Sequence, residues 1–203
     1  MKFNKKIILA SKSPRRLEIM GLAGMEPEVY IADADESSVS FSAGNPEKYV
    51  CGIAKLKNDA AYESLKRERT AEELAESVIV SADTVVYSIE NDAPLGKPRD
   101  FDDACRMLRS LSGRTHRVVS GVMIRDCGTG MIRTFGETTD VTFRELTDSE
   151  IEDYVREAKP YDKAGAYGIQ EGACVFVSRI EGDYYNVVGL PICRLITELD
   201  KLI

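Results

Sequence analysis

Ser11, Ser13, Arg15 and Arg16 crowd into Ser-Lys-Ser-Pro-Arg-Arg, where two hydroxyls and two guanidinium forks could close on one phosphate. The apolar run Ile7-Ile-Leu-Ala10 before it has the length of a buried strand, and Ser13-Pro14 pairs an N-cap hydroxyl with proline at the first helical position. Leu17, Met20 and Gly21 follow at helical spacing up to a stop at Gly24, so the unit reads strand, tight turn, helix. Arginines in a first turn oppose the positive end of the helix dipole unless an anion docks there. Two solvated arginines on a surface turn would look the same, and the pattern alone does not choose.

A second chemical signal is Asp83, inside Ser77-Val-Ile-Val-Ser-Ala-Asp-Thr-Val-Val-Tyr87, the most strand-like stretch in the chain. A carboxylate in a buried strand is costly unless it is paired, hydrogen-bonded or metal-bound. The strand could instead end at Val80 and leave Asp83 in an exposed turn. The return of apolar residues at Val85-Val86-Tyr87 favours the functional reading.

The elements that must position these groups alternate irregularly. Glu28–Ile31 is predicted as a strand, followed by the acidic segment Ala32–Ser38 containing Asp33, Asp35 and Glu36. Asn45-Pro46 starts a helix carried by Val50, Ile53, Ala54, Lys57 and Ala61, with the charged run Glu63–Glu76 as its solvated end and a surface connection. Leu95–Pro98 is a turn, and Asp100 caps a helix that stops at Gly113. Thr115–Arg125 and Met131–Glu145 are long strands around a hairpin-type connection, and Thr147 with Glu150 forms a capping box. Pro160–Gly168 is a loop, Ala173–Arg179 a strand, and a last helix runs from about Gly189 to Leu202. This order predicts a mixed sheet with flanking helices, of α/β class with mixed α+β character.

Size and composition bound the rest. At 203 residues and 22.5 kDa, 43% hydrophobic and 30% charged, the chain is expected to form a single domain over residues 1–203. A net charge of −7 argues against a broad basic surface for nucleic acid, so an anionic ligand must be held by local positive groups. The five cysteines are scattered without a C-x-x-C spacing and there is one histidine, so neither a zinc site nor a disulfide framework is indicated. Reduced thiols in a cytoplasmic protein follow as the expectation. Lys2, Lys5 and Lys6 precede an apolar run too short for a signal peptide, and no stretch could span a bilayer.

Ala10-Ser-Lys-Ser-Pro-Arg-Arg16 resembles the opening motif of the Maf family of nucleotide pyrophosphatases. Ser81-Ala-Asp-Thr-Val-Val86, Gly96-Lys-Pro98, Leu111-Ser-Gly113 with His116, Asp162-Lys-Ala-Gly-Ala-Tyr-Gly-Ile-Gln170 and Asn186-Val-Val-Gly-Leu-Pro191 match in order, over nearly the whole chain. The resemblance implies an elongated mixed sheet with flanking helices and two lobes around a central cleft, as in inosine-triphosphatase-like proteins, and a homodimer. It implies hydrolysis of nucleoside triphosphates to monophosphate and pyrophosphate with a divalent cation, Mg²⁺ or Mn²⁺, and no membrane or stable nucleic-acid partner. Asp83 takes the place of the catalytic base; Glu36 and Asp83 are the candidate carboxylates for the metal that such a reaction needs, although Glu36, in a polar loop with Asp33 and Asp35, would look the same as a solvated surface residue. Ser11, Ser13, Arg15, Arg16, Lys57, Lys97 and Lys163 would bind the phosphates. His116 reads as structural.

Within the family, one branch acts on dTTP and UTP and another on 7-methyl-GTP. Arg15, Thr84 and Gln170 stand where the first branch has arginine, threonine and glutamine; a glutamine amide suits the donor-acceptor edge of uracil or thymine. The pyrimidine branch is therefore expected, with modified pyrimidine nucleotides as further substrates. The 7-methyl-GTP branch and a nucleotide-binding division regulator with little catalysis are the alternatives. Glu171-Gly-Ala-Cys174 departs from the glycine-rich segment usual at that point.

Overall fold

A computed structural model describes residues 3–202, so Lys2 and both ends of the expected domain lie outside the described residues. The strands are β1 (Lys6–Leu9), β2 (Glu28–Val29), β3 (Ser77–Ser88), β4 (Ala93–Leu95), β5 (Thr115–Asp126), β6 (Ile132–Phe143) and β7 (Val177–Glu181). The helices are α1 (Pro14–Leu22), α2 (Pro46–Glu68), α3 (Ala71–Ala75), α4 (Phe101–Leu111), α5 (Asp148–Ala158), α6 (Tyr184–Val188) and α7 (Ile192–Asp200). Strands order as β2-β1-β3-β5-β6-β7, with β4 paired to β3. β1 runs parallel to β2 and β3, whereas β3–β4 and β6–β7 are antiparallel, which makes the sheet mixed and the class α/β.

The chain divides into two compact units. The first holds Met1–Thr84, Ser120–Glu137 and Gly189–Ile203. Its core gathers Ile8 and Ala10, Ala61 and Leu65 of α2, Leu74 of α3 and Ile79 of β3. Asn45 caps α2 by accepting from the Lys48 N–H, as its sequence predicts. Asn58, fully buried on α2, donates to the carbonyls of Ile79 and Met123, and the Ser81 hydroxyl donates to the Ala54 carbonyl. These bonds pin α2 against β3 and β5. A Cβ on Gly121 would come within 2.4 Å of the Val50 and Cys51 backbone, so glycine is what lets β5 pass this close to α2.

The second unit holds Val85–Val119 and Thr138–Val188. Asp100 caps α4, and Thr147 with Glu150 closes a full capping box on α5. Edge-to-face aromatic pairs join His116, Phe143, Tyr154, Tyr167 and Phe176 into one cluster. His116 is buried there with Nε2 2.8 Å from the Tyr167 hydroxyl, a structural place.

Several boundaries differ from the sequence reading. Ala173–Arg179 is not one strand: Gly172–Val175 is a 3-10 turn, and β7 begins at Val177. Burial explains it, since Ala173 and Phe176 point inward three residues apart while Cys174 and Val175 are exposed, a helical rather than alternating pattern. The charged run after Glu63 holds a separate helix, α3, started by a Thr70–Glu73 capping box. β2 keeps only two residues of the expected four. The last helix begins at Ile192, with α6 before it as a further element. Ser13 precedes α1, yet its hydroxyl makes no capping bond.

Candidate active site

Every group below up to Ser120 and Gly189 belongs to the first unit. β1 delivers the chain to Ser11, and the turn into α1 aims Arg16 inward, 8% exposed. Arg16 Nε donates to the Gly189 carbonyl at 2.9 Å, Nη1 to Ser11 Oγ at 2.9 Å and Nη2 to Thr84 Oγ1 at 3.2 Å. Thr84 Oγ1 lies 2.8 Å from Ser120 Oγ and 3.2 Å from the Gly189 carbonyl. Ser11 Oγ also accepts from the Ser13 N–H at 3.2 Å. Arg16 is thus held by neutral oxygens alone, and among the described residues it forms no ion pair. Burial lowers its pKa, the Asp83 carboxylate pulls the other way, and Arg15, half-buried in the same turn, adds repulsion.

Asp83 lies inside β3, as its sequence context predicts, and not in a turn. Lys57 Nζ, on α2, stands 2.7 Å from Asp83 Oδ1 and 3.1 Å from Glu36 Oε1. The Lys57 and Asp83 side chains are 19% and 15% exposed, so their pairing is less screened than a surface ion pair. Glu36 opens a 3-10 turn, Glu36–Ser38, which Asp35 caps by accepting from the Ser37 N–H and hydroxyl. Asp35 is engaged in that cap, and Glu36 is the acidic residue of this turn that reaches Lys57.

The remaining predicted residues lie in the second unit. Lys97 is exposed after β4, and Gln170 is exposed at the end of the loop. Lys163 is 8% exposed, with Nζ 2.9 Å from Asp162 Oδ1 and 3.2 Å from Glu171 Oε2. A Cβ on Gly168 would sit 2.8 Å from Lys163 Cε, so the glycine makes room for the lysine stem. Glu171, the departure from the usual glycine-rich segment, is therefore a partner of Lys163.

Within one unit, then, Ser11, Arg16 and Thr84 form one bonded group, and Glu36, Lys57 and Asp83 another. Ser120 and the Gly189 carbonyl complete the first group and carry no chemical signal of their own in the sequence. Gly189 does fall inside Asn186–Pro191, a segment singled out by its resemblance. No cluster of three or more potential metal-ligating side chains occurs among the described residues.

A family model described as Maf-like protein matches residues 6–202. The chain is similar to a dTTP/UTP pyrophosphatase of Bacillus cereus (strain G9842), 44% identical over 197 residues, which cover 97% of this chain and 95% of the relative. Similar proteins of the same description occur in Bacillus cytotoxicus at 44% identity and Bacillus anthracis (strain CDC 684) at 43%, each over 97% of this chain and 95% of the relative. A solved HAM1 protein from Coxiella burnetii aligns over 97% of this chain and 99% of its own at 15% identity and a TM-score of 0.49, a likeness that bears on neither fold nor function.

Proposed function

Because this chain belongs to the Maf-like protein family, we propose that it hydrolyses dTTP and UTP between the α- and β-phosphates, releasing pyrophosphate. The observation that carries the reading is Arg16, a buried guanidinium that hydrogen-bonds only neutral oxygens and forms no ion pair among the described residues, in the unit that also holds the Glu36–Lys57–Asp83 group. A guanidinium has five N–H groups, and three are engaged here, which leaves two for an anion. A triphosphate supplies that anion, and its charge offsets the cost of the buried cation.

Asp83 is the base that orients and deprotonates the attacking water. Arg15, Arg16, Lys57, Lys97 and Lys163 counter the phosphate charge and the charge moving onto pyrophosphate, and Ser11 and Ser13 add hydroxyl donors. A divalent cation fits Glu36 and Asp83, because both already reach one cationic atom and Mg²⁺ needs only one or two carboxylates besides waters and phosphates. Held by Glu36 and Asp83, Mg²⁺ or Mn²⁺ would supply Lewis-acid stabilisation of the phosphate charge. Thr84 and Gln170, with Arg15, support the pyrimidine branch, and modified pyrimidine nucleotides belong among the substrates. The protein acts as a homodimer in the cytoplasm; five free cysteines suit a reducing compartment, and no helix among the described residues is long and apolar enough to cross a membrane.

Product analysis tests the reading. With Mg²⁺ or Mn²⁺, dTTP and UTP yield monophosphate and pyrophosphate, and Asp83→Asn lowers turnover by about 10²–10⁴-fold with an unchanged circular dichroism spectrum. Orthophosphate as the first product would refute the bond assignment, and preferential cleavage of 7-methyl-GTP would refute the substrate assignment. Sedimentation at the mass of a single 22.5 kDa chain would remove the dimer.

A further inference from the structure

Between Glu36 and Asp83 the chain holds a cation of its own. The Lys57 ammonium lies 2.7 Å from one carboxylate and 3.1 Å from the other, at the point where both converge, and the trio keeps a net negative charge. Its backbone cannot drift. The adjacent Asn58 is fully buried, donates to the Ile79 and Met123 carbonyls and accepts from Arg125 Nε at 2.9 Å, which fixes this turn of α2. Only side-chain torsions can carry Nζ away from the carboxylates. Glu36, 54% exposed on its short turn, has room to adjust.

We propose, resting on the reading above, that Lys57 is a placeholder for the divalent cation. It keeps Glu36 and Asp83 together before substrate arrives, and it leaves that position when the metal comes in. An ammonium and a dication cannot share the same carboxylate oxygens without strong repulsion in a partly desolvated site. Free metal therefore binds weakly, because displacing Lys57 strands its charge. Metal arriving on a triphosphate binds well, because the displaced ammonium finds phosphate oxygens. Lys57 thereby couples metal and nucleotide binding, and the coupling is reciprocal. It acts on the metal through the carboxylates, as a positioning residue, and on the nucleotide directly.

Mn²⁺ binding, followed by electron paramagnetic resonance without nucleotide and again with an α,β-methylene dTTP analogue, tests this on the intact protein. Lys57→Met keeps the stem and removes the charge. Its free-Mn²⁺ affinity should rise about tenfold or more, and the further gain produced by the analogue should shrink from the wild-type value. Adding Glu36→Gln should abolish the rise. Unchanged or weaker Mn²⁺ binding by a Lys57→Met protein with native circular dichroism overturns the proposal. If Lys57→Met does not fold, Lys57→Arg decides: a guanidinium fork grips both carboxylates harder, so free-Mn²⁺ affinity should fall below wild type, and an equal or higher affinity overturns the proposal. The free-metal arm involves no hydrolysis. It can succeed on a protein that cleaves no triphosphate and fail on one that does, so the two readings stand or fall separately.

Discussion

Arg16 directs Nε, Nη1 and Nη2 at three different neutral oxygens, a spread that only a planar fork can satisfy. Arg16→Lys keeps a cation but reaches at most part of that set, so that one or two of the bonds to Ser11 Oγ, the half-buried Thr84 Oγ1 and the Gly189 carbonyl are lost. We expect a loss of about 1–3 kcal/mol in urea unfolding, together with a raised KM for dTTP. His116 makes a prediction of different sign logic. Burial among Phe143 and Tyr167 lowers its pKa from 6.5 to about 4, so the unfolded chain takes up a proton that the folded one refuses. Its contribution is complete above pH 6.5 and drains away as pH falls toward 4, on the order of 3 kcal/mol over that window. His116→Gln, which leaves Tyr167 a polar partner, should flatten the stability profile there relative to wild type. An identical slope in both proteins would rule the histidine out as its source. At this scale the sequence was legible for the carboxylate inside an apolar strand, which β3 keeps, whereas the paired arginines left a surface turn equally open until the fold turned Arg16 inward. It was silent on the Lys57–Asp83 pair, which is 26 residues apart, and on Ser120, an ordinary strand serine until Thr84 is beside it.

β5 approaches α2 so closely at Gly121 that any side chain would meet backbone rather than a flexible tip. Gly121→Ala must move one element or the other, and α2 is tied through Asn58 and Ser81. Overpacking of this kind costs about 1–3 kcal/mol. It should appear as a lower urea midpoint with an unchanged slope, accompanied by reduced turnover because Lys57 rides on α2. A variant as stable and active as wild type would mean that the contact is not tight in solution. The elements themselves were mostly readable, because their signals are local: Asn45, Asp100 and Thr147 each cap the helix that their side chains announce. Readings failed where a longer-range cause decided. Cys174-Val-Phe-Val177 looks like a strand, yet packing of Phe176 against Tyr154 and Phe143 turns the preceding residues into a 3-10 turn. The Thr70–Glu73 box that starts α3 was present in the sequence and was masked by the charge around it.

As a whole the molecule carries −7 and has a pI near 5.0, so at neutral pH it repels the polyanion that it is proposed to bind. Affinity must then come from the few cations of the site and from a metal that masks phosphate charge, which makes binding to the folded state conditional on both ligands. Linkage turns that into a thermal measurement. At about 100 times its Kd, a ligand confined to the folded state adds about 2.7 kcal/mol, and a chain of this size gains roughly 2–4 °C per kcal/mol. Mn²⁺ together with an α,β-methylene dTTP analogue should therefore raise Tm by roughly 5–10 °C, while excess chelator reduces the shift to a small residue. A 7-methyl-GTP analogue at the same concentration should give little. The comparison separates the candidate activities: a large dTTP shift with pyrophosphate release fits the enzyme, and the same shift without turnover under any divalent metal fits a regulator. A larger shift with 7-methyl-GTP would move this chain out of the pyrimidine branch despite Arg15, Thr84 and Gln170.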